Sequence, residues 1–460
     1  MKNMSLKEIT VACKGFYYGD DLSYYQEVTG VAIDSRKIET GFLFVPIRGT
    51  RVDGHTFIPQ VMAAGALCTL SEKRLEGASH PYILVDSCQQ ALKDLAEHYR
   101  QSLHIKVVGI TGSVGKTSTK ETIASILAQK YNILKTEGNY NNEIGLPLTI
   151  FNIREEHEIA ILELGISEFG EMHRLAQMAR PDICVITNIG CCHLENLKSQ
   201  EGILKAKSEI FDYLAEDGQI VLNGDDDLLC TLDSIKGHLP LFFGSQSSQD
   251  AYFTDVVDLS LEGLSCTLHL DGDAIPLHIP IPGAHMAYNA AAGALVGNLL
   301  GLNATQIQAG IAALTPVSGR SHIIHTEHLT LIDDCYNANP VSMKSSLAVL
   351  SSASGRKVAV LGDMFELGCE EQALHYEVGV SAATYGIDVI CCIGDLSVET
   401  AAGARFVASH SLIYHFHTKH EFLEQAPSLL RNGDTVLIKA SHGMEFPELV
   451  ENLQILPLLP

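Results

Sequence analysis

Short, nearly continuous apolar runs alternate with longer amphipathic stretches over most of this chain. In the middle, KVVGI (106–110), IAILELG (159–165), DICVITNIG (182–190) and GQIVLNGDD (218–226) are aliphatic and β-branched runs closing on glycine, asparagine or acidic residues. Runs of this kind read as strands buried on both faces. Between them, 170–179 and 201–214 carry helical spacing. Alternation of this kind predicts a parallel sheet with helices on both sides. A more irregular, strand-rich part follows at 251–282, and then a helix from His285 to Leu300.

The flanks repeat the alternation. From Val31 to Val85, VAIDSR and GFLFVPIRGTRVDGHTFI lead to a helix-like PQVMAAGA and the strands LCTL and YILV. Leu92, Leu95 and Tyr99 give Ser87–Gln101 helical spacing into the next unit. Beyond a linker at Pro316–Gly319 come LTLIDD, a helix at 341–353, KVAVLGD, a helix at 370–385, DVICCIGD and DTVLIKASHGM. The fold class predicted is α/β in three domains: a small unit at 1–100, a central parallel-sheet unit at 101–316, and a unit of dinucleotide-binding outline at 317–460.

Composition narrows the function classes. With 460 residues, 46% hydrophobic and 19% charged, the chain suits a folded enzyme rather than a disordered one. Its formal charge of −24 opposes non-specific binding to nucleic acid or an anionic membrane, so an anionic substrate must be captured by local cations. No apolar run reaches the roughly 18 residues of a membrane span, and the N-terminus lacks the pattern of a secretory signal. A cytoplasmic location is therefore expected. The twelve cysteines, among them the pairs Cys191-Cys192 and Cys391-Cys392, show no Cys-x-x-Cys spacing and read as reduced thiols.

The chemistry concentrates in GITGSVGKTSTKE (109–121), directly after the first central strand. A glycine-rich loop between strand and helix cradles phosphate: Gly112 and Gly115 permit the turn and aim backbone N–H groups at the oxygens, Thr111, Ser113 and Val114 complete the nucleotide-binding loop, Lys116 adds a charge, and Thr117 offers a hydroxyl to Mg²⁺. A nucleoside triphosphate is the expected guest. The general spacing of such loops asks for glycine at position 110, which is Ile110; the narrower form Thr-Gly-Ser-x-Gly-Lys-Thr fits.

Other candidates have two readings each. Glu163 lies inside an apolar strand, where an unpaired carboxylate would cost several kcal/mol, so it either meets a cation such as nucleotide-bound Mg²⁺ or turns into water at the strand end. His193 follows a strand end, where α/β proteins place ligand loops and also structural histidines. Lys205 and Lys207 on a helix read as a solvated face. The Asp333-Asp334 pair either binds ribose, orients a base or finishes a strand. Arg320, in the linker region, either reaches a phosphate between domains or lies on the surface.

Taken together, TGSVGKTSTKE, GNYNNEIGLPLT (138–149), ITNIGCCHLE (186–195), GILKAKSEIF (202–211) and PGAHMAYNAAAGA (282–294) resemble the Mur ligase family of ATP-dependent amino-acid and peptide adding enzymes. The resemblance implies a UDP-binding N-terminal domain, a P-loop-type ATPase domain and a Rossmann-like C-terminal domain. It implies that Lys116, Glu163, His193 and Lys207 are catalytic, with Thr117, Glu163, His193 and a carbamylated Lys207 around Mg²⁺, and that Asn289, Arg320 and Asp334 contact ATP. DDCYNANPVSM (333–343), LGDMFELG (361–368) and KASHGM (439–444) resemble the branch that adds the dipeptide D-alanyl-D-alanine to UDP-N-acetylmuramoyl-tripeptide. On that basis Asp34, Ser35, Arg36, Gly49, Asp53 and His55 hold the uridine nucleotide, and Asn142, Asn337 and Asn339 touch substrate. The enzyme is expected to act as a monomer.

Rival readings are a sibling ligase adding one amino acid or glutamate, a P-loop switch protein and an NAD-dependent oxidoreductase. The sibling should lack YNANP, the switch needs an Asn-Lys-x-Asp motif that is absent, and no Gly-x-Gly-x-x-Gly follows the first strand of the third domain.

Overall fold

The computed structural model describes residues 1, 4–50, 52–190, 192–407 and 410–458, so Arg51 and Cys191 lie outside the described residues. Three α/β sheets follow one another along the chain, as the alternation predicts. The first has five strands in the spatial order Phe16–Tyr18, Tyr82–Leu84, Cys68–Ser71, Phe42–Phe44 and Gly30–Ala32, all parallel except the first. The third has six strands, His322–His325, Thr330–Asp333, Thr435–Lys439, Lys357–Gly362, Val389–Ile393 and Leu412–Phe416, again parallel except at the first.

The nine-stranded central sheet positions the site. Lys106–Thr111 lies between Ile159–Glu163 and Ile183–Ile186, with Ile133–Lys135 beyond the former and Gln219–Asn223 and Leu241–Gly244 beyond the latter. The chain therefore leaves its first central strand at the point where strand order reverses, and the loops on either side diverge to open a crevice at the carboxyl ends. The loop 112–115 sits in that crevice and feeds the helix Lys116–Leu127.

Some boundaries differ from the sequence expectation. The strand-rich 251–282 region is a regular antiparallel meander, Ala251–Asp258, Leu264–Leu270 and Asp273–Ile279, whose register shifts between Thr254 and Val257. Leu264–Leu270 and Asp273–Ile279 alternate inward and outward residues, but Ala251–Asp258 loses that alternation after Thr254, where the register shifts and Val256 and Val257 are exposed, so the run reads as irregular. The helix expected at 201–214 is Gln200–Ser208 followed by a tighter 3₁₀ stretch, Glu209–Tyr213. The helix Gly145–Phe151 was not anticipated; it begins with glycine and proline nearby and is formed by tertiary burial.

One apolar core runs from Leu6, Leu43 and Leu70 of the first unit through Leu92 and Leu95 to Ile150, Leu162 and Leu175 beneath the central sheet. The helix Cys88–Gln101 is the mortar: Tyr99 Oη donates to Ile153 O at 2.7 Å, and buried Arg100 donates through Nε to Ala179 O at 3.0 Å. The opposite face is covered by Lys116–Leu127 and His285–Leu299. The eleven described cysteines are free thiols. Among the described residues, no helix is long and apolar enough to cross a membrane.

Candidate active site

Two backbone devices shape the phosphate turn. Gly112 has φ +150 and Gly115 φ +83, conformations that favour glycine. The turn is tied to the loop after Ile183–Ile186: Ser113 N–H donates to Asn188 O at 3.0 Å, Val114 N–H to Asn188 Oδ1 at 2.9 Å, and Thr187 Oγ1 to Val114 O at 2.6 Å. Gly115 caps the following helix without a side chain, which leaves the first-turn N–H groups facing the cavity as an anion site.

Glu163, at the end of its strand, is 2% exposed, which rules out the reading in which it turns into water. Its Oε2 accepts from Thr117 Oγ1 and its Oε1 from Asn141 Nδ2, each at 3.0 Å. Among the described residues the cation paired with it is Lys120, 3.9 Å from Oε2, itself 1% exposed and also bonded to Glu121 and Thr136 O. Lys120 and Asn141 were missed in the sequence reading. The former stands four residues after Lys116 and so emerges one helical turn further along the same side; the latter adjoins the predicted Asn142, whose side-chain Oδ1 accepts Ile144 N–H and Gly145 N–H at 3.1 and 2.8 Å.

The helix Gln200–Ser208 separates its lysines. Lys205 is exposed, as a solvated face requires, but Lys207 is 1% exposed, so that reading fails for it. Its Nζ donates to Gly112 O at 3.1 Å, the same carbonyl that accepts from Lys116 Nζ at 2.8 Å. Among the described residues Lys207 forms no ion pair with a carboxylate; burial pulls its ammonium down to about 8, with the neighbouring charge of Lys116 acting in the same direction. His193, with φ +51, feels Lys207 and Lys116 on one side and Glu366 on the other; burial, the largest influence, lowers the proton affinity of its ring.

The third unit closes a cavity of about 500 Å³ over these groups. Arg320 is not a surface linker residue: its guanidinium lies 4.1 Å from the centre of the Tyr336 ring and borders the cavity. The paired aspartates divide their work. Asp333 is structural, accepting Gly319 N–H at 2.7 Å and Ser318 Oγ at 3.2 Å, whereas Asp334 lines the cavity, held by Ser321 N–H at 3.0 Å and by Lys439 Nζ at 2.7 Å. Lys439, 3% exposed at the end of an apolar strand, carries the same sequence signal as Glu163 and was overlooked. Asn289 accepts from Thr119 Oγ1 at 3.0 Å, Asn337 accepts His442 N–H at 3.3 Å, and Asn339 caps the helix Pro340–Ser352; all three also border the cavity. Thr111, Gly112 and Lys207 stand behind its wall.

The N-terminal candidates form a separate group. Asp34 caps the 3₁₀ turn Ser35–Lys37 and pairs with Arg36, which holds its carboxyl down to about 2. Asp53 caps Gly54–Phe57 and meets His55 Nδ1 at 2.6 Å, Gly49 N–H closes onto Val52 O at 3.0 Å, and His55 also borders an open groove on this unit. None of these residues lines the cavity at the phosphate turn.

Comparison with known proteins agrees with this architecture. The Mur ligase family catalytic domain matches residues 27–100, the Mur ligase middle domain 110–297, and the Mur ligase glutamate ligase domain 319–442. The UDP-N-acetylmuramoyl-tripeptide–D-alanyl-D-alanine ligase of Bacillus subtilis (strain 168) is 38% identical over 94% of both chains, and that of Escherichia coli (strain K12) 34% over 99% of both. Among solved structures, MurF from Acinetobacter baumannii superposes with a TM-score of 0.90 at 29% identity over 99% of both chains. The ADP complex of MurF ligase from Thermotoga maritima gives 0.81 at 28%, covering 92% of this chain and 97% of that one. With full-length relatives above 30% identity and all three domains matched in order, this chain belongs to the Mur ligase family.

Proposed function

We propose that this chain is an ATP-dependent ligase that joins D-alanyl-D-alanine to UDP-N-acetylmuramoyl-tripeptide through an acyl phosphate, a cytoplasmic step of peptidoglycan precursor synthesis carried out by a monomer. The observation that carries it is the single cavity in which the glycine turn and Glu163 face Arg320, Asp334 and Asn337 of the third unit. A ligase has to gather a triphosphate, a carboxylate and an amine in one place and keep water out. Residues 1–100 would hold the uridine nucleotide through Asp34, Ser35, Arg36, Gly49, Asp53 and His55. Residues 101–316 would hold ATP, and 317–460 would bring the dipeptide past Asn337 and Asn339, with Asn142 beside the acceptor.

The tripeptide carboxylate cannot be attacked by an amine directly, because its charge repels nucleophiles and oxide is a poor leaving group. Its oxygen attacks the γ-phosphorus of ATP, ADP departs, and an acyl phosphate results. The dipeptide amine then adds to the acyl carbon and phosphate leaves. Lys116 and the N–H groups at the helix start hold the phosphates, while Asn289, Arg320 and Asp334 fix the nucleotide between the two units.

Among the described residues, no three His, Cys, Asp or Glu side chains form a ready-made metal cage. That suits Mg²⁺, which binds through one or two carboxylates together with substrate phosphates. The adjoining oxygens of Thr117 and Glu163 fit it, and His193 completes the protein side. When bound, Mg²⁺ offsets negative charge on the triphosphate. Lys207 fits the set once carbamylated: burial maintains a supply of neutral amine that CO₂ can trap, replacing an unpaired buried cation with a carboxylate-like group.

The test is phosphate release with UDP-N-acetylmuramoyl-tripeptide and ATP, varying the amine. Release that requires D-alanyl-D-alanine is expected. Equal release with single amino acids would favour a sibling activity, and none with any amine would overturn the assignment.

A further inference from the structure

The third unit presents a turn, residues 364–368, to the central unit. Met364 N–H donates to the buried His375 Nε2 at 2.9 Å, Phe365 N–H donates to Ser441 Oγ at 2.8 Å, and Ser441 N–H returns to Asp363 O at 3.0 Å. Asp363, 5% exposed, is anchored in turn by Ser397 through its N–H at 2.7 Å and Oγ at 2.6 Å. A turn held this firmly has a fixed direction. It points Glu366 across the gap between units, in a left-handed conformation with φ +63 that is disfavoured for any residue bearing a Cβ. Two residues later, Gly368, φ +68, sits so close to the central unit that a Cβ there would lie 3.7 Å from the backbone of Glu195.

Glu366 Oε2 ends 2.5 Å from His193 Nδ1. His193 is left-handed as well, so two residues from different units, both in disfavoured conformations, meet through one short contact. Such conformations persist where the surrounding structure over-determines them, and they gather at sites and clamps. The contact has a chemical consequence. The carboxylate lies off the Nδ1–H axis in this structure, so the buried Nδ1 has no hydrogen bond, but at this distance a small rotation of either side chain aligns the two; once aligned, a carboxylate at Nδ1 keeps the imidazole proton on that nitrogen and leaves the lone pair on Nε2, the form in which histidine binds a metal. Metal-bound histidines commonly donate their other N–H to a carboxylate, which fixes ring orientation and raises ligand basicity. The other charged groups acting on this ring, Lys116 and Lys207, are cations and cannot do so.

We propose that Glu366 is a positioning residue supplied by the third unit: on closure its carboxylate fixes the tautomer and orientation of His193, so that metal affinity in the central unit depends on the third unit being docked. The inference rests on the proposed ligase reading, in which His193 belongs to the Mg²⁺ site. By linkage, metal and nucleotide bound in the central unit favour closure to the same extent.

The experiment uses the full chain with ADP and Mn²⁺ as the probe, following bound Mn²⁺ by electron paramagnetic resonance and domain closure by small-angle scattering, in wild type, Glu366→Gln and Glu366→Ala. Neither variant changes the strain at position 366, because both keep a Cβ. Glu366→Ala should weaken Mn²⁺ binding about 10- to 100-fold and shift the scattering toward the open form, with the metal-free melting temperature unchanged. Glu366→Gln, which still offers an oxygen to Nδ1–H, should fall between. Equal Mn²⁺ affinity in Glu366→Ala and wild type overturns the proposal, including the case in which scattering alone changes and the contact is only a tether. Failure of wild type to bind Mn²⁺ with ADP would instead overturn the metal-site reading beneath it.

Discussion

Replacing Gly112 with alanine probes how closely the phosphate turn is built against the neighbouring loop. A Cβ at this position would lie 1.9 Å from Thr187 Oγ1 and 3.1 Å from the Thr187 Cβ and backbone nitrogen. Ordinary contact needs about 3.5 Å, so the seam must open by more than an ångström. Thr187 cannot swing aside freely: its hydroxyl donates to Val114 O at 2.6 Å and its N–H to Thr111 O at 3.0 Å. Overpacking of this kind costs roughly 1–3 kcal/mol, and alanine at φ +150 adds roughly 1–3 kcal/mol of backbone strain. A loss of about 2–6 kcal/mol is expected, a large fraction of the roughly 5–15 kcal/mol that keeps a protein folded. Function should suffer further, because Gly112 O positions both Lys116 and Lys207. Urea unfolding gives the stability and calorimetry the ADP affinity. The double variant Gly112→Ala/Thr187→Ala removes the colliding oxygen and should recover the packing part but not the backbone part; Val114 O keeps its second donor, Asn188 Nδ2, at 3.0 Å. A Gly112→Ala protein with wild-type stability and ADP affinity would refute the reasoning.

Lys116→Ala should abolish ATP-dependent phosphate release while leaving the fold intact, and wild-type-like turnover would remove Lys116 from the phosphate site. Lys207→Ala should lose activity that high acetate or bicarbonate partly restores; an unaffected enzyme would rule out the carbamate. The depressed proton affinity of Lys207 also predicts a pH dependence in CO₂-free buffer. Between about pH 8 and its ordinary value of 10.5 the unfolded chain binds more protons at this group than the folded one, so stability rises with pH there. Below pH 8 the full penalty, about 3 kcal/mol, is present, and melting curves should show Lys207→Met more stable than wild type at pH 7, with the gap narrowing by pH 10. Arg320→Ala removes the stacking on Tyr336 and a cation from the cavity proposed to hold the nucleotide, and should raise the KM for ATP about tenfold or more, consistent with about 1.5–3 kcal/mol for a charge-assisted contact; an unchanged KM in steady-state kinetics would count against it.

Local sequence settled the fold class because short β-branched and aliphatic runs bounded by turn formers recur in regular alternation with helical stretches, a pattern that parallel α/β units produce. The glycine turn was legible for the same reason, since its conformation and its chemistry are written within a few consecutive residues. The meander at 251–282 was less clear, because its first strand breaks the alternation after Thr254, where the register shifts and Val256 and Val257 face solvent.

Lys205 and Lys207 show where sequence stops. Two residues apart on one helix, they looked alike; the fold leaves Lys205 in solvent and buries Lys207 against Gly112 O with no carboxylate partner among the described residues. The same holds for Lys120 beneath Glu163, for Lys439 holding Asp334, and for Glu366 reaching His193 from another unit. The sequence by itself determined three α/β units, a glycine turn between strand and helix and the family resemblance, because each of these is encoded over short stretches. Only the tertiary structure decided which charges face one another, because ion pairing and desolvation depend on distances between residues that the chain keeps tens to hundreds of positions apart.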